Sequence, residues 1–241
     1  MWRAALAWLA LLAGDAAAEP RLYATGFEDE GDFAGFYIVP QGHLGTSWHA
    51  LSGDEVHSGR SAHKAWMSGA NPASSWLRNR NHRAYPTVQL YKLAGGAFRT
   101  PVRIEFWVWL DAEIAPGEWF SFATLDHTTG DRWDPVLVNL SDQGFVHLMH
   151  VPENGQGARS FQTESIRFPM REWVKLSVTL HFDRQEGYAE VRQNGALVSA
   201  APVRRGNGLF TQAHFGLYAP PSMTEGVVYN DDLIIAEIDG S

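Results

Sequence analysis

Arg171–Ala201 reads REWVKLSVTLHFDRQEGYAEVRQNGALVSAA, and this stretch decides the fold. Val174, Leu176, Val178, Leu180 and Phe182 alternate with Lys175, Ser177, Thr179 and His181. A period of two puts one side of a strand against a core and the other toward solvent. Asp183 to Gly187 is polar and breaks the pattern. A second strand from Tyr188 to Gln193 then meets Asn194-Gly195, a dipeptide that accepts positive φ in a type I′ turn, with Ala196 to Ala201 as the returning partner. Two hairpins in succession without a helical period specify an antiparallel sheet.

Outward from this stretch the same signal repeats. Val102, Ile104, Phe106, Val108 and Leu110 share one face of a strand, and Arg103, Glu105, Trp107 and Trp109 share the other. Leu22 to Phe27, Thr87 to Leu93, Trp119 to Asp126, Pro135 to Leu140, Phe145 to Val151, His214 to Tyr218 and Val227 to Ile238 also read as strands, with turn residues between them. The expectation is an all-β, antiparallel two-sheet sandwich of the jelly-roll kind, forming one domain over residues 19–241. A chain of about 220 residues buries roughly 70% of its unfolded surface, enough for a core without covalent staples. That matters because there is no cysteine, hence no disulfide and no thiolate metal site.

The first residues, MWRAALAWLALLAGDAAAEP, have Arg3 before an apolar run from Ala4 to Ala13 and a small-residue stretch at Ala16-Ala17-Ala18. The run is too short to span a bilayer and reads as a secretory signal over residues 1–18, cut near Ala18. Export follows as the expected location, with no membrane span and a monomeric mature chain. The formal charge of −8 gives no electrostatic reason to bind nucleic acid or an anionic bilayer. Eight of the ten Trp lie after the signal, more than a core requires.

Two motifs tie the ends together. Gly26-Phe27-Glu28 and Tyr229-Asn230-Asp231-Asp232-Leu233 resemble the F-E and D-D pairs of carbohydrate-binding jelly rolls, whose first and last strands are neighbours. That resemblance implies a structural Ca²⁺ held by Glu28, Asp231 and Asp232 with backbone carbonyls, the alternative being solvated acids at strand ends. His147-Leu148-Met149-His150 is no zinc motif, because i and i+3 on a strand point to opposite faces.

The hairpin stretch, with HSGRSAHKAW and VRIEFWVWLDA, resembles concanavalin A-like lectin and glucanase domains over most of the chain. Such a likeness implies the fold and leaves the activity open. A narrower similarity is to jelly-roll polysaccharide lyases of the alginate-lyase kind. Ala123-Thr124-Leu125-Asp126-His127 resembles their Gln-x-His strand, and His214-Phe215-Gly216-Leu217-Tyr218 their F-K-A-G-x-Y strand. Leu125 stands in place of the Gln, and Thr87-Val88-Gln89-Leu90 in place of an arginine-bearing strand.

Two functions follow. The first is glycan binding, with Trp107, Trp109, Trp119, Tyr91, Arg83 and His147 lining an aromatic face of a concave sheet, since sugar C–H faces stack on rings. Trp107 and Trp109 read equally well as rings covered by a neighbouring loop. The second is β-elimination on a uronate-containing glycan. Its chemistry needs a carboxylate neutraliser, a base for the C5 proton and an acid for the departing oxygen. Gln89, His127 and Tyr218, with Arg80 or Arg83 near the carboxylate, are the residues of that reading. Glycoside hydrolysis is disfavoured, because no strand carries the alternating carboxylates that place nucleophile and acid about 5 Å apart.

Overall fold

The computed structural model describes residues 19–33, 36–38, 44–71, 80–129, 133–152 and 157–239, with the side chains of 33 and 36–38 excepted. The signal segment and Arg78-Asn79 of the basic run lie outside them. The strands in chain order are β1 (Leu22–Thr25), β2 (Phe36–Ile38), β3 (Ser47–Ser52), β4 (Ala62–Ser68), β5 (His82–Ala84), β6 (Pro86–Val88), β7 (Phe98–Arg99), β8 (Val102–Asp111) and β9 (Trp119–Asp126). Then come β10 (Val136–Ser141), β11 (Val146–His150), β12 (Arg159–Phe161), β13 (Val174–His181), β14 (Tyr188–Gln193), β15 (Ala196–Pro202), β16 (Leu209–Phe210), β17 (Gln212–Ala219) and β18 (Glu225–Glu237).

These strands form a two-sheet antiparallel jelly roll. The first sheet runs β15-β14-β13-β8-β18-β4-β3, with β1 also paired to β18. The second runs β12-β11-β10-β9-β17-β6-β2, with β5 also on β17. The opening hairpins occupy one edge of the first sheet, and Asn194 and Gly195 take φ of 48° and 86° in their turn. The first and last strands pair from Leu22↔Ala236 to Thr25↔Leu233, as the end motifs led one to expect.

The core lies between the sheets. Ile104, Phe106, Val108 and Leu110 of β8 face Phe120, Phe122, Val138, Leu148, Phe215 and Leu217 of the second sheet, all fully buried or nearly so. Each such side chain contributes about 1.5–3 kcal/mol of transfer free energy. Phe106 meets Phe215 edge to face at 5.3 Å, a direct contact between sheets.

One irregularity changes the chemistry. On β10, Asn139 pairs with Ser121, but the next residue back, Val138, pairs with Ala123. Phe122 is therefore an extra residue on β9, a β-bulge. Before it, Phe120 and Phe122 point into the core; after it, Ala123 and Leu125 do. Simple alternation along β9 puts His127 on the same face as Trp119, and the bulge turns it inward.

A second difference concerns Gln89 and Tyr91. The expected strand from Thr87 to Leu93 stops at Val88, and Leu90–Lys92 is a 3₁₀ turn.

Candidate functional site

A groove of about 500 Å³ opens on the outer face of the second sheet, and its floor is made of two cross-strand rows. The register gives the first row: Arg83 of β5 lies opposite Tyr218 of β17, Tyr218 opposite Ser121 of β9, Ser121 opposite Asn139 of β10, and Asn139 opposite His147 of β11. The second row runs His214, Thr124, Leu137, Met149 and Ser160 across β17, β9, β10, β11 and β12. Trp119, Tyr85 and Trp133 stand along the sides. Neighbouring strands are about 4.8 Å apart, so Tyr218 and His147 sit roughly 14 Å apart at the backbone, with their side chains facing a shared trough.

Gly216 explains how the loop after β5 reaches the site. Its φ is 131°, and a Cβ there would lie 2.7 Å from the Ala84 carbonyl oxygen and 3.2 Å from Tyr85 Cα. Only glycine lets β5 and Tyr85 close onto β17. Tyr85 then stacks on His214 at 4.5 Å and meets Tyr218 edge to face at 6.2 Å. Trp119 packs 5.1 Å from the Tyr218 ring on its other side.

The polar groups divide into held and unmet. The Tyr218 hydroxyl accepts a hydrogen bond of 2.8 Å from Asn81 Nδ2. His147 Nδ1 lies 3.2 Å from the Phe145 carbonyl, to which it donates as N–H, and this tautomer leaves Nε2 as the free lone pair. Burial holds the His147 pKa below the ordinary histidine value, with the Phe145 contact opposing, so the ring is neutral at neutral pH. His214, between Tyr85 and Trp133, is pushed down to about 3 by burial and then by Arg83. By contrast Asn139 is buried with its Oδ1 unpartnered, and Arg83 Nε is likewise buried without a partner. An unmet buried polar atom costs about 1–3 kcal/mol; a carboxylate or hydroxyl oxygen would meet Arg83 Nε, and only a donor such as a sugar hydroxyl would meet Asn139 Oδ1.

Of the residues proposed from sequence, the groove brings together Tyr218, Trp119, Arg83 and His147. His127 is not among them. It is 5% exposed, its ring packs 4.8 Å from Phe182 in the core, and Nε2 is 3.7 Å from Asp134. It lies about 20 Å along β9 from Ser121, the residue facing Tyr218. Gln89 donates to the Tyr91 hydroxyl at 3.1 Å, and neither lines the groove. Arg80 precedes β5, where its carbonyl accepts from Asn71, also outside the groove.

Trp107 and Trp109 belong to the outer face of the other sheet, on the far side of the sandwich. Trp107 is stacked under His57 at 3.7 Å, and Trp109 meets Tyr229 edge to face at 5.4 Å. The covering-loop alternative describes Trp107. Sequence reasoning missed Asn139, His214, Tyr85, Thr124 and Trp133. Alternation within VLVNLS and VHLMH already puts Asn139 and His147 on the outer face, and only their pairing was hidden.

Glu28, Asp231 and Asp232 come together beside the His57-Ser58 loop. Asp231 Oδ2 accepts from the His57 and Ser58 amides at 3.0 and 3.2 Å, and Oδ1 from the Asp232 amide at 2.8 Å. Asp232 takes His57 Nδ1 at 2.7 Å and the Ser58 hydroxyl at 2.8 Å, while Glu28 accepts the Arg60 amide. Asp231 is thus a loop latch, and the oxygens suited to a hard cation are those of Glu28, Asp232 and Ser58. Among the described residues no three His, Asp or Glu side chains converge in a ligating arrangement, so a cation there would need hydroxyl and carbonyl oxygens as well.

No family model and no curated protein matches the chain. Solved structures do. An endo-β-1,4-glucuronan lyase from the fungus Trichoderma reesei superposes with a TM-score of 0.65 at 14% identity, over 90% of this chain and 95% of that one. The cellulose-induced protein Cip1 gives 0.63 at 14% identity, over 91% and 100%. A family 7 alginate lyase, A1-II′, gives 0.54 at 12% identity, over 79% and 83%. The chain has the jelly-roll fold of the two lyases and of Cip1, and at such identities the likeness is one of fold. No helix among the described residues is long and apolar enough to cross a membrane.

Proposed function

We propose that the groove of the second sheet binds a uronate-containing polysaccharide and cleaves it by β-elimination. The observation that carries this reading is the single row Arg83–Tyr218–Ser121–Asn139–His147, with unmet polar atoms on Arg83 and Asn139. The Asn139 amide N–H, beside His147, would hold the uronate carboxylate and so acidify the neighbouring C5–H, while Arg83, three strands away, would hold the carboxylate of an adjoining sugar. His147 Nε2 takes the C5 proton, and the electron pair forms the C4–C5 double bond as the C4–O bond breaks. Tyr218 gives its phenolic proton to the departing oxygen and is restored from water. His214, neutral and stacked, offers with Trp119, Trp133 and Tyr85 an apolar seat for adjoining rings.

Two fold relatives act on the same class of substrate by their own descriptions: one is a glucuronan lyase, and the alginate lyase is described with one histidine and one tyrosine exchanged, in complex with substrate. The decisive assay follows the ultraviolet absorbance of the unsaturated uronate during incubation with glucuronan, alginate or pectate. Tyr218→Phe is expected to lower kcat by about 10²–10⁴ while leaving the thermal midpoint nearly unchanged. Retention on a glycan array with no absorbance rise on any polyuronate would make the groove a binding site only.

Around this centre we place a monomer exported after removal of residues 1–18, with a structural Ca²⁺ between Glu28, Asp232 and Ser58. Mass analysis of the secreted chain checks the first; an N-terminus far from Glu19 refutes it. Chelation should lower the melting temperature of the wild type and leave Asp232→Ala unmoved; equal melting with and without chelator refutes the metal.

A further inference from the structure

Tyr218 does not stand alone at its end of the groove. Its hydroxyl oxygen accepts a hydrogen bond of 2.8 Å from Asn81 Nδ2, and Asn81 is the residue just before β5. We infer that Asn81 is a positioning residue for the elimination, resting on that reading of the groove: its amide N–H holds the Tyr218 hydroxyl and meets the negative charge left on the phenolic oxygen when the proton goes to the departing sugar oxygen. The acid is then a pair of residues instead of one.

The chain is anchored on both sides of Asn81. Before it, the Arg80 carbonyl accepts from Asn71 Nδ2 at 2.6 Å. After it, His82 is fully buried, with Nε2 2.9 Å from the Met223 carbonyl and Nδ1 2.9 Å from the Ser47 hydroxyl. Burial lowers the His82 pKa, with the Met223 contact opposing, so the ring is neutral: Nε2 donates to the carbonyl and Nδ1 accepts from the hydroxyl. Ser47 belongs to β3 of the first sheet and Met223 to the turn between β17 and β18, so this ring clamps the start of β5 across the sandwich. With His82 and Ala84 inward, alternation puts Asn81 and Arg83 on the outer face, where Arg83 lies opposite Tyr218. The Tyr218 ring is held in turn between Trp119 at 5.1 Å and Tyr85 at 6.2 Å. Donor and acceptor are thus each fixed by groups other than their mutual bond.

The chemistry asks for such a donor. In the elimination the Tyr218 O–H bond breaks and the proton bonds to the departing C4 oxygen. The electron pair of that bond stays on the phenolic oxygen until water restores the proton. The Asn81 hydrogen bond joins two neutral groups in the resting site and becomes a bond to an anion as this charge grows. Charge-assisted hydrogen bonds are about twice as strong as neutral ones. The gain is therefore made in the transition state and not on substrate binding, which places it in kcat. A carboxylate at position 81 would do the opposite, accepting the phenolic proton and opposing its release.

The test compares the wild type with Asn81→Ala, Asn81→Asp, Tyr218→Phe and Asn81→Ala/Tyr218→Phe on glucuronan, with rates taken per mole of folded protein. Asn81→Ala should lower kcat about tenfold to a hundredfold, the scale of one hydrogen bond to a charged group, with KM held within about twofold. Asn81→Asp, equal in size, should lower kcat at least as far, because it accepts where the amide donates. In the Tyr218→Phe background Asn81→Ala should cost nothing further, since the oxygen it serves is gone. The loss should also vanish on a uronide that carries nitrophenolate at C4, a group that departs without a proton. A kcat preserved within about twofold in either single variant overturns the inference and leaves the groove reading standing. So does a loss that persists in the Tyr218→Phe background or on the nitrophenolate substrate. A wild type that eliminates no polyuronate overturns the groove reading and the role of Asn81 with it.

Discussion

Replacing His147 and His127 separately by Ala separates the two histidines that chain position alone could put in the site. His147 lies in the groove row and is held by one contact, its Nδ1 against the Phe145 carbonyl. It is 5% exposed, so its loss should cost the volume it fills as well as that hydrogen bond, about 2–4 kcal/mol. As general base, however, it should carry 10²–10⁴ in rate, or roughly 3–5 kcal/mol of barrier. His127 differs in the second respect. Its ring fills space against Phe182 and lies near Asp134, so truncation leaves a core cavity worth about 2–4 kcal/mol and touches nothing in the groove. Urea melts and steady-state rates per mole of folded protein, measured on both variants, should therefore separate stability from catalysis. Both variants should unfold early, but folded His147→Ala should be almost inactive and folded His127→Ala should turn over normally. If His127→Ala lost activity at an unchanged midpoint and His147→Ala kept it, the inversion of β9 by the Phe122 bulge would be wrong.

The tryptophans should divide in the same way. Trp119→Ala removes a wall of the groove and should raise KM by about tenfold, roughly one stacking interaction; Trp107→Ala uncovers His57 on the far sheet and should change the thermal midpoint and not KM. An unchanged KM in the first, or a raised KM in the second, counts against the groove. The pH dependence has a definite sign. Burial lowers the pKa of His63, His82, His147, His150 and His214 below their unfolded value. Below about pH 6.5 the unfolded chain binds more protons at these sites than the native one, so stability falls as pH falls, by up to about 1.4 kcal/mol per unit for each histidine. Asp126, raised to about 6 by burial, and Asp231, raised for the same reason, slope the other way across their own ranges. Denaturation midpoints from pH 8 to 4 should drop first near the ordinary histidine range; a flat profile would mean the rings are hydrated. The acid limb of kcat/KM should lie below that range, since His147 must be neutral to act.

The sandwich was legible because its strands alternate cleanly. Val102 to Leu110 and Val174 to Phe182 put every aliphatic residue and both phenylalanines inward, and Asn194-Gly195 placed its turn at the expected dipeptide. Tyr218 was named for a different reason, the resemblance of His214-Phe215-Gly216-Leu217-Tyr218 to a lyase strand; that Gly216 lets β5 close onto β17 is seen only in the structure. His127 was misread because a period-two argument counts residues and cannot see an extra one. The bulge at Phe122 has no local signature in WFSFATLD, and it exists only in the register against β10. Gln89 failed at a boundary, where a strand gives way to a 3₁₀ turn. Asn139 and His147 were on the correct face all along, but their opposition across β10 and β11 is a tertiary fact.

The two aromatic faces of the molecule look alike in composition and differ in how far their polar groups are satisfied. On the outer face of the first sheet, Lys64 lies against Trp66 and Tyr229 and binds Asp54 at 2.6 Å. Arg171 pairs with Asp111, Lys175 with Glu105, and His57 covers Trp107 while bonding Asp232. These rings and charges complete one another. In the groove the central amide has an oxygen without a donor, and the arginine at the row's end has a buried N–H without an acceptor. Unmet groups of this kind cost stability in the free protein and persist where a ligand completes them. That difference, more than the count of tryptophans, is the reason the proposed saccharide site is put on the second sheet.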